Sequence, residues 1–367
     1  MRAKKIDKFF LTTILLLNAV GIAMFISASL GVLAKNEKTF ISVLISQLGL
    51  GLGLGLLGMY IALKLDYKVW RKYAFFIFLA SIFLTAAVFI PHLGWSHGGA
   101  QRWIKIGPLS MQPVEILKFG FVISFAAWLS YVKDKAHHFR WRILPLFIML
   151  AVIAGLLFKQ PDTKSFVLIT ITGACMLFIS GVSLRYILGL GVGTALVLAT
   201  LVYFTPYLQD RVKTFIDPSH DPQGSSYQIQ QSLIALGSGG MFGRGYGQSI
   251  QKFSYLPEPQ GDSIFAVVGE ELGFVGAVGV ILLYLVFALR GFRIANNSPD
   301  LFSRLLVSGI VILIIVQSFM HIASIVGVFP LTGVPLVFMS QGGTSFMIDL
   351  IAVGIVLQVS RFQKKSS

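Results

Sequence analysis

Apolar residues along this chain gather into long runs separated by short polar segments, the pattern of a protein that crosses a lipid bilayer many times. Runs of spanning or near-spanning length occur at 9–30, 40–63, 74–90, 114–132, 143–158, 166–181, 187–204, 263–289, 305–328 and 346–360. They predict an all-α polytopic membrane protein with ten transmembrane helices, folded as a single integral membrane domain over 1–367. The fifth and sixth runs are short. They are joined by a polar break, Lys159 to Ser165, of the kind tolerated where interrupted helices line a cavity inside protein. The second run contains LGLGLGLGLLG, Leu48 to Gly58, whose alternation suits a strand on paper. It lies inside a 24-residue apolar run, so it is read as a helix whose glycines permit close packing. One long connection stands out, 205–262, a large extracytoplasmic loop within the domain. Its middle, SYQIQQSLIALGSGGMFGRGYGQ, predicts a short interfacial helix followed by a turn-rich segment. No internal repeat suggests the inverted symmetry of many transporters.

Composition agrees: 55% hydrophobic residues, 12% charged residues and a mean hydropathy of +0.80 do not fit a soluble globule of 367 residues. The net charge of +15 would raise the question of nucleic acid in a soluble protein. Here the basic residues sit mainly between apolar runs, so membrane orientation accounts for them and no nucleic-acid partner is expected. The N-terminus, 64–72, 133–142, 181–186, 290–304 and the C-terminus together hold 19 Lys and Arg, against 10 in the alternate connections. Both termini are therefore expected in the cytoplasm and the 58-residue loop outside. The basic start leads into an apolar run too long for a signal sequence, read as a retained first helix. A single cysteine, Cys175, lies in an apolar run and excludes a disulfide framework or thiolate metal site.

Candidate chemistry centres on YLPEPQGDSIFAVVGEELG, Tyr255 to Gly273, which brings three carboxylates to a loop entering a membrane helix. Asp262 stands at the boundary and is the expected reactive group. Glu270 and Glu271 lie roughly 12 Å deeper along the helix and are expected to be buried and paired. In GGAQRWIKIGPLSMQPVEILK, Gly98 to Lys118, Glu115 and Lys118 are three residues apart and can pair, either to make the helix insertable or to serve a site. Arg102 and Lys118 form a cationic pair suited to a phosphate-bearing ligand, although snorkelling to headgroups equally accounts for Arg102. Asp162 is expected to cap the following helix. The outer segment GVFPLTGVPLVFMSQGGTS, Gly327 to Ser345, carries no charge and suits a re-entrant hairpin offering N–H groups and hydroxyls. His321 and Asp349 are further intramembrane polar groups, expected to be satisfied structurally. No metal-ligand spacing, phosphate-binding Walker loop, dinucleotide fingerprint or Ser/His/Asp order is present.

QSLIALGSGGMFGRGYGQSIQKFSYLPEPQGDSIFAVVGEELGFVGA (Gln231 to Ala277), together with GAQRWIKIGPLSMQPVEILK, QPD at 160–162 and PLTGVPLVFMSQGGTS, resembles the SEDS family of FtsW, RodA and SpoVE over essentially the whole chain. DRVKTFIDP, YQIQQSL and KFSYLPEP read nearer to FtsW, whereas GVPL and GGTS lean toward RodA. The resemblance implies polymerisation of lipid II into peptidoglycan strands on the outer side of the cytoplasmic (inner) membrane, in division or elongation. The implied partner is a class B penicillin-binding protein, a monofunctional FtsI-like transpeptidase, with other divisome or elongasome membrane proteins and membrane lipids around it. The family's essential aspartate falls on Asp262, its acidic and basic pair on Glu115 and Lys118, and its outer-loop arginine on Arg102. Gln101, Gln231 and Ser340 in the same motifs are taken as further substrate contacts. This chain departs from the family at Gln260-Gly261 before Asp262 and Ser263 after it, at Gln341 and at His321. On this reading Asp262 is the base for the attacking sugar hydroxyl, and Arg102 with Lys118 clamps the diphosphate. A divalent cation, Mg or Mn, is a candidate addition to the clamp, with no other cofactor implied. A lipid II flippase is the alternative, and a scaffold that recruits the transpeptidase a third reading.

Overall fold

A computed structural model describes residues 5–97, 100–106, 109–132, 139–217, 224 and 226–363. Gly98, Gly99, Gly107 and Pro108 of the quoted motif, the basic stretch 133–138, the loop positions 218–223 and 225, and the terminal cations Arg2, Lys4, Lys364 and Lys365 lie outside the described residues.

Each apolar run forms a helix because, away from water, a backbone must satisfy its own hydrogen bonds. The first is α1 (Lys8–Leu33), where the Asp7 carboxylate accepts from the Phe10 N–H at 3.0 Å. The second run is continuous but changes pitch, from α2 (Glu37–Leu44) through a π-helix (Ile45–Leu54) to α3 (Gly55–Lys64). The Gly/Leu alternation is thus helical, with a widened turn at its centre. There follow α4 (Tyr67–Ala86), α5 (Pro113–Tyr131), α6 (Phe139–Lys159), α7 (Thr163–Ile179) and α8 (Leu184–Phe204). The long connection holds α9 (Pro206–Ile216), α10 (Tyr227–Ser238) and α11 (Gln251–Ser254), and the chain ends with α12 (Ile264–Asn296), α13 (Leu301–Ile325) and α14 (Gly343–Ser360). Among the described residues, nine helical spans are long and apolar enough to cross a membrane; the expected sixth span is the shorter apolar helix α7. The chain is a multi-pass, all-α membrane protein.

Helices α5, α13 and α14 form the centre: 67%, 83% and 83% of their apolar windows are buried, against 6% for α8, which faces outward along nearly its whole length. Small residues bring the backbones together where lipid supplies no hydrophobic drive. A Cβ at Gly55 would stand 2.7 Å from Leu350 Cδ1 and 3.1 Å from Met347 Cα, so α3 lies directly on α14.

The connection 91–113, to which the apolar runs assign no element, contains a three-stranded antiparallel sheet, β1 (Gly94–His97), β2 (Ala100–Ile106) and β3 (Leu109–Met111), with Trp95 opposite Trp103 and Lys105 opposite Ser110. Ala100 and Ile104 are buried, and between the Trp95–Trp103 and Ser96–Gln101 pairs the register skips Arg102, which is the bulged residue of β2.

Glu270 and Glu271 are buried and paired as expected, Glu270 with Arg244 and Glu271 with Lys252, and both hold the segment before α12. Glu271 pairs with Lys252 at 2.7 Å and accepts from Ser27 Oγ at 2.7 Å and the Gly247 N–H at 2.9 Å. Glu270 accepts from Ser249 Oγ and the Ile250 N–H. Two residues on, α12 kinks at Gly273, whose φ of 68° and ψ of −169° lie outside what a side-chain-bearing residue readily adopts. At the far end of the bundle the first and last helices meet. The Asp7 N–H donates to Ser360 Oγ at 3.1 Å, and Arg290 Nη2 lies 2.8 Å from Asp7 Oδ2. Ser345, at the start of α14, is about 22 Å from that junction at ~1.5 Å per residue.

Candidate active site at one end of the helix bundle

Asp262 is set by a turn that two segments fasten. The Gly261 and Ser263 N–H groups both donate to Glu258 O, at 3.0 and 3.2 Å, and Ser263 Oγ donates to Pro257 O at 2.7 Å. The segment after α13, Gly327 to Ser345, then grips the turn: Ser340 Oγ donates to Gly261 O at 2.8 Å and the Gln341 N–H to Gln260 O at 2.7 Å. The carboxylate lines a cavity with Arg102, Trp103, Gln112, Lys164, Gly333, Pro335, Gln341, Gly342, Thr344 and Ser345. It is the single carboxylate among those lining residues.

Two cations line the cavity with it, and a third, Arg211, lies near enough to feel its charge. Arg102 donates through Nε to Gln160 O at 3.0 Å and through Nη2 to Pro161 O, so the polar break between α6 and α7 orients its guanidinium. Asp162 caps α7, accepting from Ser165 Oγ at 2.8 Å. From the first turn of α7, Lys164 reaches across to donate to Gly333 O. Gly333 has φ of 61°, and a Cβ there would stand 2.9 Å from Asp262 Oδ2 and 3.6 Å from Lys164 Nζ. The carboxylate and the ammonium therefore flank one backbone point, which only glycine occupies without strain. Arg211 on α9 stacks on the Tyr207 ring at 4.5 Å. Burial pushes its guanidinium below the ordinary value; Tyr207 and Asp262 oppose that shift, and the neighbouring Arg102 adds to it.

Glu115 and Lys118 lie behind the cavity wall. Lys118 Nζ is 2.7 Å from Glu115 Oε2 and donates to Gln317 Oε1 at 2.6 Å, and both side chains are enclosed. Ser345, which lines the cavity, donates to Glu115 Oε2 at 3.0 Å. The structure thus brings Arg102 together with Lys164 and Arg211, not with Lys118. Ser340 fastens the loop. Gln101, on β2, and Gln231, on α10, are half-buried and do not line the cavity.

The family described as Cell cycle protein, comprising FtsW, RodA and SpoVE, matches residues 7–365. The chain belongs to the FtsW/RodA/SpoVE family. Over 359 residues it is 36% identical to the probable peptidoglycan glycosyltransferase FtsW of Trichlorobacter lovleyi, covering 98% of this chain and 94% of that one. Stage V sporulation protein E of Bacillus subtilis is 36% identical over 366 residues, covering 99% and 100%. Among solved structures, a chain from a peptidoglycan synthase complex that coordinates polymerization and crosslinking superposes with a TM-score of 0.81 at 27% identity, over 98% and 99% of the two chains. The rod shape determining protein RodA of Thermus thermophilus gives 0.70 at 26% identity, over 98% of each.

Against this FtsW/RodA/SpoVE framework, Lys164 in the cavity and Arg211 near it are the cations that sequence reasoning missed. A signal for Lys164 was present: a cation in the first turn of an apolar helix opposes the helix dipole and has to be held there by something. Beneath the segment after α13, His321 Nδ1 donates to Val334 O at 2.7 Å, while its buried Nε2 has no hydrogen-bond partner among the described residues. Asp349 is placed with Ser345, whose Oγ lies 3.4 Å from Asp349 Oδ2. Among the described residues no three His, Cys, Asp or Glu side chains converge as a metal site. With Arg102 and Lys164 in the cavity beside its carboxylate and the charge of Arg211 nearby, Asp262 does not fit as an anchor for a protein-held divalent cation.

Proposed function

We propose that this chain polymerises lipid II into peptidoglycan glycan strands at the outer face of the cytoplasmic membrane, with a class B penicillin-binding protein as its crosslinking partner. The FtsW relatives are named as peptidoglycan glycosyltransferases, and the similar complex is a peptidoglycan synthase. The observation that carries the reading is a lone carboxylate, Asp262, opening into a cavity with Arg102 at the end of the bundle away from the paired termini. The contact of Asp7 with Ser360 supports both termini on one side, and the excess of Lys and Arg favours the cytoplasm for that side.

One carboxylate suffices for this reaction. The attacking sugar hydroxyl gives its proton to Asp262, a C–O bond forms at the donor's anomeric carbon, and the bond from that carbon to the diphosphate breaks. The electron pair leaves with undecaprenyl diphosphate. Glycosidases that expel an alkoxide need a second carboxyl as acid; a diphosphate leaves readily once positive charge meets it. Arg102 has two of its five N–H groups committed to the Gln160 and Pro161 carbonyls, which fixes the plane and leaves the others for phosphate oxygens. Lys118 supports the wall through Glu115 and Ser345. Clustering of the polar groups at one end of the bundle favours transfer over transport, whose sites lie near the midplane.

The test is lipid II consumption by the purified protein with its partner in detergent, where no sidedness exists for a transporter to use. Asp262→Asn is expected to lower strand synthesis by about 100-fold or more, as loss of a general base does, with unchanged thermal stability. Strand synthesis at the parent rate overturns the reading.

A further inference from the structure

Lys164 is expensive where it stands. It sits in the first turn of α7, where the exposed N–H groups already supply positive charge. Arg102 and Arg211 are like-charged neighbours. Among the described residues no ion pair joins it to a carboxylate, and its hydrogen bond is to a neutral carbonyl, Gly333 O. Asp262 and Asp162 attract it from beyond ion-pair contact. A lysine that served only to fasten the outer segment would not need to face the reactive carboxylate across Gly333.

The ammonium also lies beside the two groups here that carry metal-binding atoms. One is the Asp262 carboxylate. The other is His321, whose Nδ1–H is taken by Val334 O, so the unpartnered Nε2 carries a lone pair; the imidazole feels the charges of both Asp262 and Lys164. At a site that releases a diphosphate, a divalent cation supplies positive charge to the departing oxygens. In this chain Lys164 lines the same cavity as Asp262.

Resting on the glycosyltransferase reading above, we propose that Lys164 is the fixed cation of this site: it meets the departing diphosphate and holds beside Asp262 the charge a divalent metal would otherwise bring, so that transfer needs no metal bound there. The step balances as before. The hydroxyl proton goes to Asp262, the electron pair leaves on the diphosphate, and the ammonium donates hydrogen bonds to it without being consumed.

The test pairs a binding readout with turnover, on the full chain in complex with its transpeptidase partner. Titrated with Mn²⁺ alone and followed by electron paramagnetic resonance, the parent is expected to take up no more ion than Asp262→Asn. Lys164→Gly is expected to gain a saturable Mn²⁺ site that Asp262→Asn in the same chain removes. In turnover the parent consumes lipid II equally in EDTA and in magnesium, while Lys164→Gly loses about tenfold or more in kcat and recovers part of it with Mn²⁺ or Mg²⁺. Lys164→Gln, which keeps a donor for Gly333 O, controls for a change in folding and shares the loss; Lys164→Arg retains more activity than either. Saturable Mn²⁺ uptake by the parent that Asp262→Asn abolishes overturns the proposal, as does a parent silenced by EDTA, a Lys164→Gly that turns over at the parent rate, or one that gains no Mn²⁺ site. A parent that consumes no lipid II sinks the glycosyltransferase reading instead, and the Mn²⁺ titration still decides the placement of Lys164.

Discussion

Lys252 Nζ lies 2.7 Å from Glu271 Oε1, and neither side chain reaches the surface. The pair joins α11 to the first half of α12, with Ser27 of α1 donating to the same carboxylate. Removing one partner leaves a buried charge without compensation, at a cost of about 3–5 kcal/mol. Lys252→Met is therefore expected to lower the thermal midpoint in detergent sharply, and the double variant Lys252→Met with Glu271→Gln to recover part of the loss. An unchanged midpoint in Lys252→Met would count against the pair as a structural tie.

Gly333→Ala tests the point that Asp262 and Lys164 share. The substitution puts a side chain on a residue with φ of 61°, costing on the order of 1 kcal/mol or more. It also drives a methyl to 2.9 Å from Asp262 Oδ2, closer than carbon and oxygen pack. Strand synthesis is expected to fall by at least about tenfold, more than stability changes, because a misplaced general base loses its alignment. Turnover and thermal unfolding measured on the same preparation check this.

Lys118 separates two roles for a buried cation. With its ammonium on Glu115 and Gln317 behind the wall, Lys118→Met is expected to destabilise the protein by about 3–5 kcal/mol, and Glu115→Gln added to it to restore stability and activity in parallel. Loss of turnover at unchanged stability, unrelieved by Glu115→Gln, would instead put Lys118 on the substrate.

Acid should loosen the junction of the first and last helices. Burial alone would raise the Asp7 carboxyl, but hydrogen bonds from Arg290 and the Phe10 N–H, with the charge of Arg290, hold it below its ordinary value of 3.8. A carboxyl depressed on folding stabilises the fold above its unfolded value, and that contribution disappears as pH falls through the folded value. The stability difference between the parent and Asp7→Asn is thus expected to be constant near neutrality and to shrink below pH 3.8. A difference that grows on acidification contradicts this assignment.

What the sequence made legible follows from which physics is local. Apolar runs specify spanning helices because the bilayer leaves the backbone no alternative, and the Asp162 cap was readable for the same reason of short range. The π-turn at Ile45–Leu54 was not, because its glycines announce close packing without saying what packs there. The sheet at 94–111 escaped notice since its strands are short and its pairing is set by the bundle beneath. In the site, Asp262 stood out as a carboxylate at a helix mouth, but the cations opposite it come from three separate elements, β2, α7 and α9. Proximity between Lys164 and Asp262, about a hundred positions apart, exists only after α7 and the segment holding Gly333 have met.

Because Gly55 seats α3 against Leu350 and Met347, a helix with no chemistry of its own governs where α14 can rest. Thr344 and Ser345 open that same helix and form part of the wall facing Asp262. Substitutions at the bilayer-facing seam can thus throttle the enzyme from a distance, by shifting the helix like a shim under a door frame rather than by touching any reacting atom.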